Sequence, residues 1–350
     1  MQKGKVWVSI TFIALLLSYF DEPSEIHIFF KTANASEVAA TVLMYHRFGE
    51  SAFPSTNIRI KQFEAHLNEL KTKSFNVIGL PEIVSALKNR RRLPERTIGI
   101  SIDDAYLSIY EHAWPRLKAF GFPFTIFVAT KPIDQSNSSY MSWGQIRELL
   151  EAGVTIGSQS ATHPHLTFLT KPELEKELNS SNARFLEKLG MVPNLFAYPY
   201  GEASLATERV VQDHGFKAAF GQHSGAISSV GDLFYLPRFT MNEVYGSLSR
   251  FKLVANTLPL HAIDLTPEDH VITGQNPPAI GFTVTGKLPD LKRLNCFASH
   301  EGRAKVERIG KRRFEVRLAN PFPKGRTRLN CTLPADTRQW YWLGRQFFVP

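Results

Sequence analysis

Asp103 and Asp104 close the apolar run Thr97-Ile98-Gly99-Ile100-Ser101-Ile102, and Thr162-His163-Pro164-His165 follows about sixty residues later. Successive side chains of an extended segment point to opposite sides. One carboxylate at such a strand end can therefore hold a metal ion while its neighbour takes a proton from a water on that ion. A histidine returned by a later strand would supply a second ligand. Taken alone, paired acids serve as well as solvated loop residues or helix N-caps, so the reading depends on what accompanies them.

Three segments occur in order, each after a candidate strand: Ser101-Ile102-Asp103-Asp104-Ala105-Tyr106, then Gly157-Ser158-Gln159-Ser160-Ala161-Thr162-His163-Pro164-His165-Leu166, then Phe196-Ala197-Tyr198-Pro199-Tyr200-Gly201. With Leu43-Met44-Tyr45-His46 and Met141-Ser142-Trp143, they make the chain resemble the polysaccharide deacetylases, the NodB-like carbohydrate esterases of family four, over about residues 40–240. The motifs of that family read Thr-Phe-Asp-Asp-Gly, His-Ser/Thr-x-x-His and Arg-x-Pro-Tyr/Phe. The resemblance implies a divalent ion, zinc by expectation, on Asp104 and His163. It also implies Asp103 as the base, the Tyr200 backbone N–H beside the tetrahedral oxyanion, and an N-acetylated polysaccharide as substrate.

Departures from the pattern matter as much. Gln159 stands where the family has its first metal histidine, and Ala197 where it has the motif-three arginine. A glutamine carbonyl is neutral and holds zinc more weakly than imidazole does, which leaves Gln159 as a third metal partner. Arg238, in Leu236-Pro237-Arg238-Phe239, is the candidate to replace the missing arginine and steady Asp103, with a structural salt bridge as the alternative. On the first view Arg238→Ala lowers turnover much more than stability. The match to the family's late Leu-x-His motif is Leu258-Pro259-Leu260-His261, inside a proline-bounded linker. His46, at the end of the first strand, lies in the right layer to approach the site or to hydrogen-bond a loop. His165 is a substitute ligand or an exposed loop histidine.

The elements that must position these groups alternate. Residues 40–45, 97–104, 124–129, 154–158, 195–198 and 216–220 read as strands, and residues 62–73, 113–120, 143–152 and 205–214 as helices. Thr170-Lys171-Pro172-Glu173 is a capping box with proline in the first turn, opening a helix to about residue 189. Such βα repetition predicts a parallel sheet, closed or partly closed as a barrel. The motifs all fall past strand C-termini, where barrels place their chemistry. Resemblance narrows this α/β class to the distorted (β/α)7 deacetylase-type barrel. Beyond it, short strand signals around residues 280–284, 294–297, 314–318, 327–331 and 341–348 predict a small all-β, sandwich-like module. There Trp340, Tyr341 and Trp342 are candidates for sugar stacking or for core packing.

These readings divide the 350 residues into a signal peptide or N-terminal anchor over residues 1–35, a deacetylase domain over 36–264 and a β module over 265–350. Lys3 and Lys5 before the apolar stretch from Val6 to Leu17, with Ala33-Asn34-Ala35 beyond, form an export signal. The body is accordingly expected to be secreted or periplasmic, with a membrane-anchored N-terminus as the alternative. Cys296 and Cys331 are the only cysteines and suggest a disulfide in that compartment, reduced core thiols being the alternative. Residues 271–350 hold fifteen Lys and Arg against five Asp and Glu, so the net excess of +9 belongs to the tail. It could face an anionic cell envelope or acidic glycans. A solvated β surface accounts for it equally, because Arg303, Lys305, Arg313 and Arg317 alternate with Ala304, Val306, Phe314 and Val316. Nothing resembles a nucleic-acid motif. The expected activity is metal-dependent removal of N-acetyl groups from an N-acetylglucosamine-containing polysaccharide. The alternatives are a glycan-binding relative that does not hydrolyse, given Gln159 and Ala197, or an O-acetyl esterase.

Overall fold

A strand buried on both faces has no reason to alternate polar and apolar side chains, and Thr97–Asp103 does not: all 7 of its residues are buried. In the computed structural model, which describes residues 39–350, this segment is β2, after β1 (Ala39–Tyr45). Parallel strands follow as β3 (Thr125–Val128), β4 (Thr155–Ser158), β5 (Leu195–Ala197) and β6 (Ala218–Phe220), and an antiparallel β7 (Ala226–Ser228) flanks β1. Their order is β7-β1-β2-β3-β4-β5-β6. Among the described residues β6 and β7 do not pair with each other, so the (β/α)7 barrel is distorted and open at that seam. The signal or anchor expected over residues 1–35 lies outside the described residues.

Helices α1 (Ile60–Thr72) and α2 (Leu80–Lys88) precede β2, and α3 (Trp114–Phe120), α4 (Trp143–Glu151), α5 (Lys171–Leu189) and α6 (Leu205–Asp213) follow successive strands. Phe63, Leu67 and Leu70 form the buried stripe of α1, as their spacing predicts. The capping box of α5 is present, with the Thr170 N–H and hydroxyl both donating to Glu173 at 2.8 and 2.7 Å. Helix α2, not singled out by periodicity, sits tightly on β2. A Cβ at Gly99 would lie 2.6 Å from Leu80 Cδ2.

After α7 (Leu248–Ala255), eight strands form a second sheet: β8 (Leu258–Pro259), β9 (Ala262–Thr266), β10 (Ile280–Val284), β11 (Asn295–Ala298), β12 (Gly302–Ile309), β13 (Arg313–Arg317), β14 (Gly325–Pro334) and β15 (Trp340–Val349). The order is β8-β15-β14-β11-β12-β13-β10-β9. Phe282, Phe314 and Val316 from one half share a core with Leu329, Leu333 and Phe347 from the other, which makes the module sandwich-like. Strand β9 straddles the boundary expected at residue 265. Phe314 and Val316 are buried while Arg303, Lys305 and Arg317 stay exposed, and Arg317 and Lys305 pair with Glu307. These basic residues are the solvated face of a strand pair.

The two sheets meet closely. Trp342 packs edge-on to Phe239 at 5.3 Å, and a Cβ at Gly344 would lie 1.9 Å from the Ser224 carbonyl oxygen. Trp342 therefore serves the interface, its indole N–H donating to Asn330. Between the sheets lies a cavity of about 260 Å³ lined by Glu208, His223, Tyr235, His261, His270 and Arg345. His261 faces this cavity, apart from the paired acids. Burial, and after it the nearby Asp232, raise Glu208 to about 8. Burial and the neighbouring Arg345 lower His223 to about 3.

Cys296 and Cys331 lie directly opposite on β11 and β14 and form a disulfide that closes a loop with a sequence separation of 35. Loop-closure entropy for that length amounts to about 4 kcal/mol. The Cys296→Ala/Cys331→Ala variant is expected to lose stability of that order in urea denaturation. Glu208 gives a second expectation. Between its ordinary 4.5 and about 8 the unfolded chain releases a proton that the folded chain keeps, so stability falls as pH rises through this window. Glu208→Gln should therefore gain on the wild type, by a few kcal/mol at pH 8, and gain nothing below pH 4.5. Denaturant titrations at both ends check this.

Candidate active site

The two adjacent acids meet different fates because β2 ends between them. Asp103, its last residue, is 0% exposed. Arg238, also 0% exposed, grips it through two parallel bonds, Nη1 to Oδ1 at 2.7 Å and Nη2 to Oδ2 at 2.9 Å. The rest of the guanidinium donates to Ser101 Oγ at 3.1 Å and the Gly221 carbonyl at 2.9 Å. Arg238 is thus the cation paired with Asp103. His46 Nε2 stands 3.9 Å from Asp103 Oδ2 and borders the open cleft.

Asp104 turns out into that cleft with φ 74°, its N–H shared between the Phe127 carbonyl at 3.0 Å and Gln159 Oε1 at 3.3 Å. His163, delivered by the loop after β4, brings Nε2 to 3.5 Å from Asp104 Oδ1. Tyr200 lies edge-on to the His163 ring at 4.7 Å. The cleft, about 490 Å³, is lined by His46, Asp104, Tyr106, His163, Tyr200 and Arg326 among others, while Asp103, Gln159 and Arg238 lie beneath its floor. His165 stacks on Tyr200 at 4.2 Å and bonds Glu202 at 2.7 Å, which turns it from Asp104. Burial, then Asp104, raises the Tyr200 phenol above its ordinary range.

Asp104, Ala105, Ser160, His163 and Tyr200 all have positive φ without being glycine. Each such residue costs on the order of 1–3 kcal/mol and persists only where its surroundings over-determine it. Their convergence marks the cleft as a site held for its geometry.

Two donors of a tetrahedral zinc ion, each about 2.1 Å from the metal, stand about 3.4 Å apart. The Asp104–His163 spacing of 3.5 Å fits a shared divalent ion. Among the described residues no third His, Cys, Asp or Glu joins them. The third neighbour is Gln159, whose oxygen faces the Asp104 N–H and whose buried Nε2 has no hydrogen-bond partner. Sequence reasoning missed Tyr106, which supports the Arg47 guanidinium over its ring at 3.4 Å, and Arg326, which only the packing of the β module brings to the cleft. The run Asp103-Asp104-Ala105-Tyr106 could have signalled the first; nothing local signals the second.

Residues 90–219 match the family described as polysaccharide deacetylase. The chain is similar to the poly-beta-1,6-N-acetyl-D-glucosamine N-deacetylase of Staphylococcus aureus, 26% identical over 239 residues, or 61% of this chain and 82% of that one. IcaB from Ammonifex degensii aligns with a TM-score of 0.55 at 25% identity over 62% of this chain and 97% of its own. The Streptococcus pyogenes deacetylase PplD, in complex with acetate, shares the fold with a TM-score of 0.59 at 20% identity, over 63% of this chain and 99% of its own.

The complete burial of Arg238 revises the expectation that Arg238→Ala spares stability. Removing one partner of a buried ion pair leaves the other charge stranded, at a cost of about 3–5 kcal/mol. Urea denaturation should rank wild type above Arg238→Lys, which keeps the charge without the fork, and Arg238→Lys above Arg238→Ala. A loss below about 1 kcal/mol for Arg238→Ala would contradict the pairing.

Proposed function

We propose, on the match of residues 90–219 to the polysaccharide deacetylase family, that the chain hydrolyses N-acetyl groups of an N-acetylglucosamine-containing polysaccharide outside the cytoplasm. The carrying observation is the division between Asp103, fixed under the floor by Arg238, and Asp104, paired with His163 in the cleft. The activity named for the Staphylococcus aureus relative makes β-1,6-linked oligomers the first substrate to try.

Asp104 and His163, with the Gln159 amide alongside, would hold a divalent cation, which supplies Lewis-acid polarisation of the acetamide carbonyl. Asp103 accepts the proton of the attacking water. Each of its oxygens receives one bond from Arg238 and keeps a further lone-pair site. Arg238 holds the carboxylate plane so that this site does not rotate away. The Tyr200 N–H is the donor this reading assigns to the oxygen that gains charge as the carbonyl becomes tetrahedral. His46, 3.9 Å from Asp103 Oδ2, passes a proton to the departing amine. Acetate and a free amino sugar result.

Gln159 favours a second reading, a glycan-binding relative that does not hydrolyse, because an amide replaces the strongest neutral ligand the family motif offers. Acetate release from acetylated β-1,6-glucosamine oligomers, with zinc, cobalt or nickel added, separates the two. Asp103→Asn is expected to lower the rate at least about 100-fold. Equal release by wild type and variant sinks the hydrolase and leaves the binder.

A further inference from the structure

Tyr200 and Gly201 are consecutive left-handed residues, with φ of 59° and 69°. Only the second is a glycine, so the turn does not hold itself. Gly201 has no room to shift, since a Cβ there would meet the Gln222 backbone N at 2.5 Å. The carbonyls of the turn point at the β module. Gln346 on β15, 1% exposed, donates its amide N–H groups to the Tyr200 carbonyl at 3.1 Å and the Gly201 carbonyl at 2.9 Å. Arg326 on β14 donates to the same Tyr200 carbonyl at 3.3 Å and lies 3.6 Å from Glu202, which in turn bonds His165. Tyr235, from the barrel, adds a hydroxyl to the Gly201 carbonyl at 2.7 Å.

We propose that the β module completes the candidate active site, with Gln346 as a positioning residue that locks the Tyr200–Gly201 turn and so fixes Tyr200 against His163. Pinning the two carbonyls fixes ψ at both residues, and with it the place of the Tyr200 ring and backbone relative to the cleft. The docking is independently tight, because β15 passes the Ser224 backbone at a point where any side chain on Gly344 would collide. A buried amide with two accepting carbonyls is a directional device, whereas a purely cohesive contact would need only apolar surface.

Gln346→Met keeps the volume and removes both donors. Hydrogen exchange of peptides covering residues 196–204 is expected to quicken about tenfold in this variant, with peptides covering β4 unchanged. Steady-state kinetics on the acetylated oligomers should show kcat falling about 10- to 100-fold with KM near the wild-type value. Arg326→Met, at a more exposed position, should move both readouts in the same direction by less, and it stands in should Gln346→Met fail to fold. The kinetic arm rests on the deacetylase reading; the exchange arm does not. A wild type without activity would sink that reading and leave exchange to judge the lock. Unchanged exchange overturns the proposal, and so does faster exchange with unchanged kcat in an active wild type.

Discussion

A guanidinium and a carboxylate with no exposure to solvent constrain everything around them. Four of the five N–H donors of Arg238 are met in the interior, by two carboxylate oxygens of Asp103, a serine hydroxyl and a carbonyl. Desolvation of two ions costs several kcal/mol each, and mutual attraction repays it only in good geometry. The pair also has a topological effect. Arg238 belongs to the segment after the open seam, and its N–H donates to the His223 carbonyl. The segment is thereby tied both to β2 and to the edge of the barrel, where the β6 and β7 strands do not pair.

With Asp103 immobile, the next residue has little choice. Asp104 leaves the strand in a left-handed conformation, and the His163 and Tyr200 turns approach it in the same unusual backbone state. Local strain of this kind cannot be local in its support. Beneath the floor Gln159 receives the Asp104 N–H, and from the β module Gln346 holds the carbonyls behind Tyr200. The cleft is therefore the meeting point of turns whose restraints come from opposite sides of the molecule.

How much of this was legible in the sequence follows from the range of each interaction. The strand ending at Asp103, the α1 stripe, the capping box at Thr170 and the disulfide strands were legible, because alternation, 3.6-residue spacing and capping are local patterns. Gln159 and Ala197 were visible as departures from the deacetylase motifs. Arg238 was found as a residue that had to exist somewhere, yet its burial was not readable, so the effect of deleting it on stability was misjudged. Helix α2 went unread although Leu80, Ile83, Val84 and Leu87 recur at helical spacing and are buried while Glu82, Ser85 and Lys88 are exposed; its 9 residues give the pattern little more than two turns in which to repeat. His261 matched a motif by letters and went to the interface cavity, since β8 is recruited by β15. Arg326 and Gln346 sit in strands whose alternation says only which face they occupy, and what lies opposite that face is decided by how two sheets dock.

Gln159 sharpens what the site can be. Its orientation is set by the Asp104 N–H, which donates to the carbonyl end of the amide; turning the amide over would put two donors face to face. Nε2 is then left buried without an acceptor, a state that costs about 1–3 kcal/mol. A histidine at this position would offer a lone pair to a cation, whereas the amide in this orientation spends its oxygen on the backbone and leaves its N–H groups buried without an acceptor. Binding a metal through Gln159 would therefore require the oxygen to be shared with, or taken from, the Asp104 N–H, which keeps the Phe127 carbonyl as its other acceptor. Any ion affinity of the cleft would accordingly rest on Asp104 and His163, and the amide acts first on the backbone that aims Asp104.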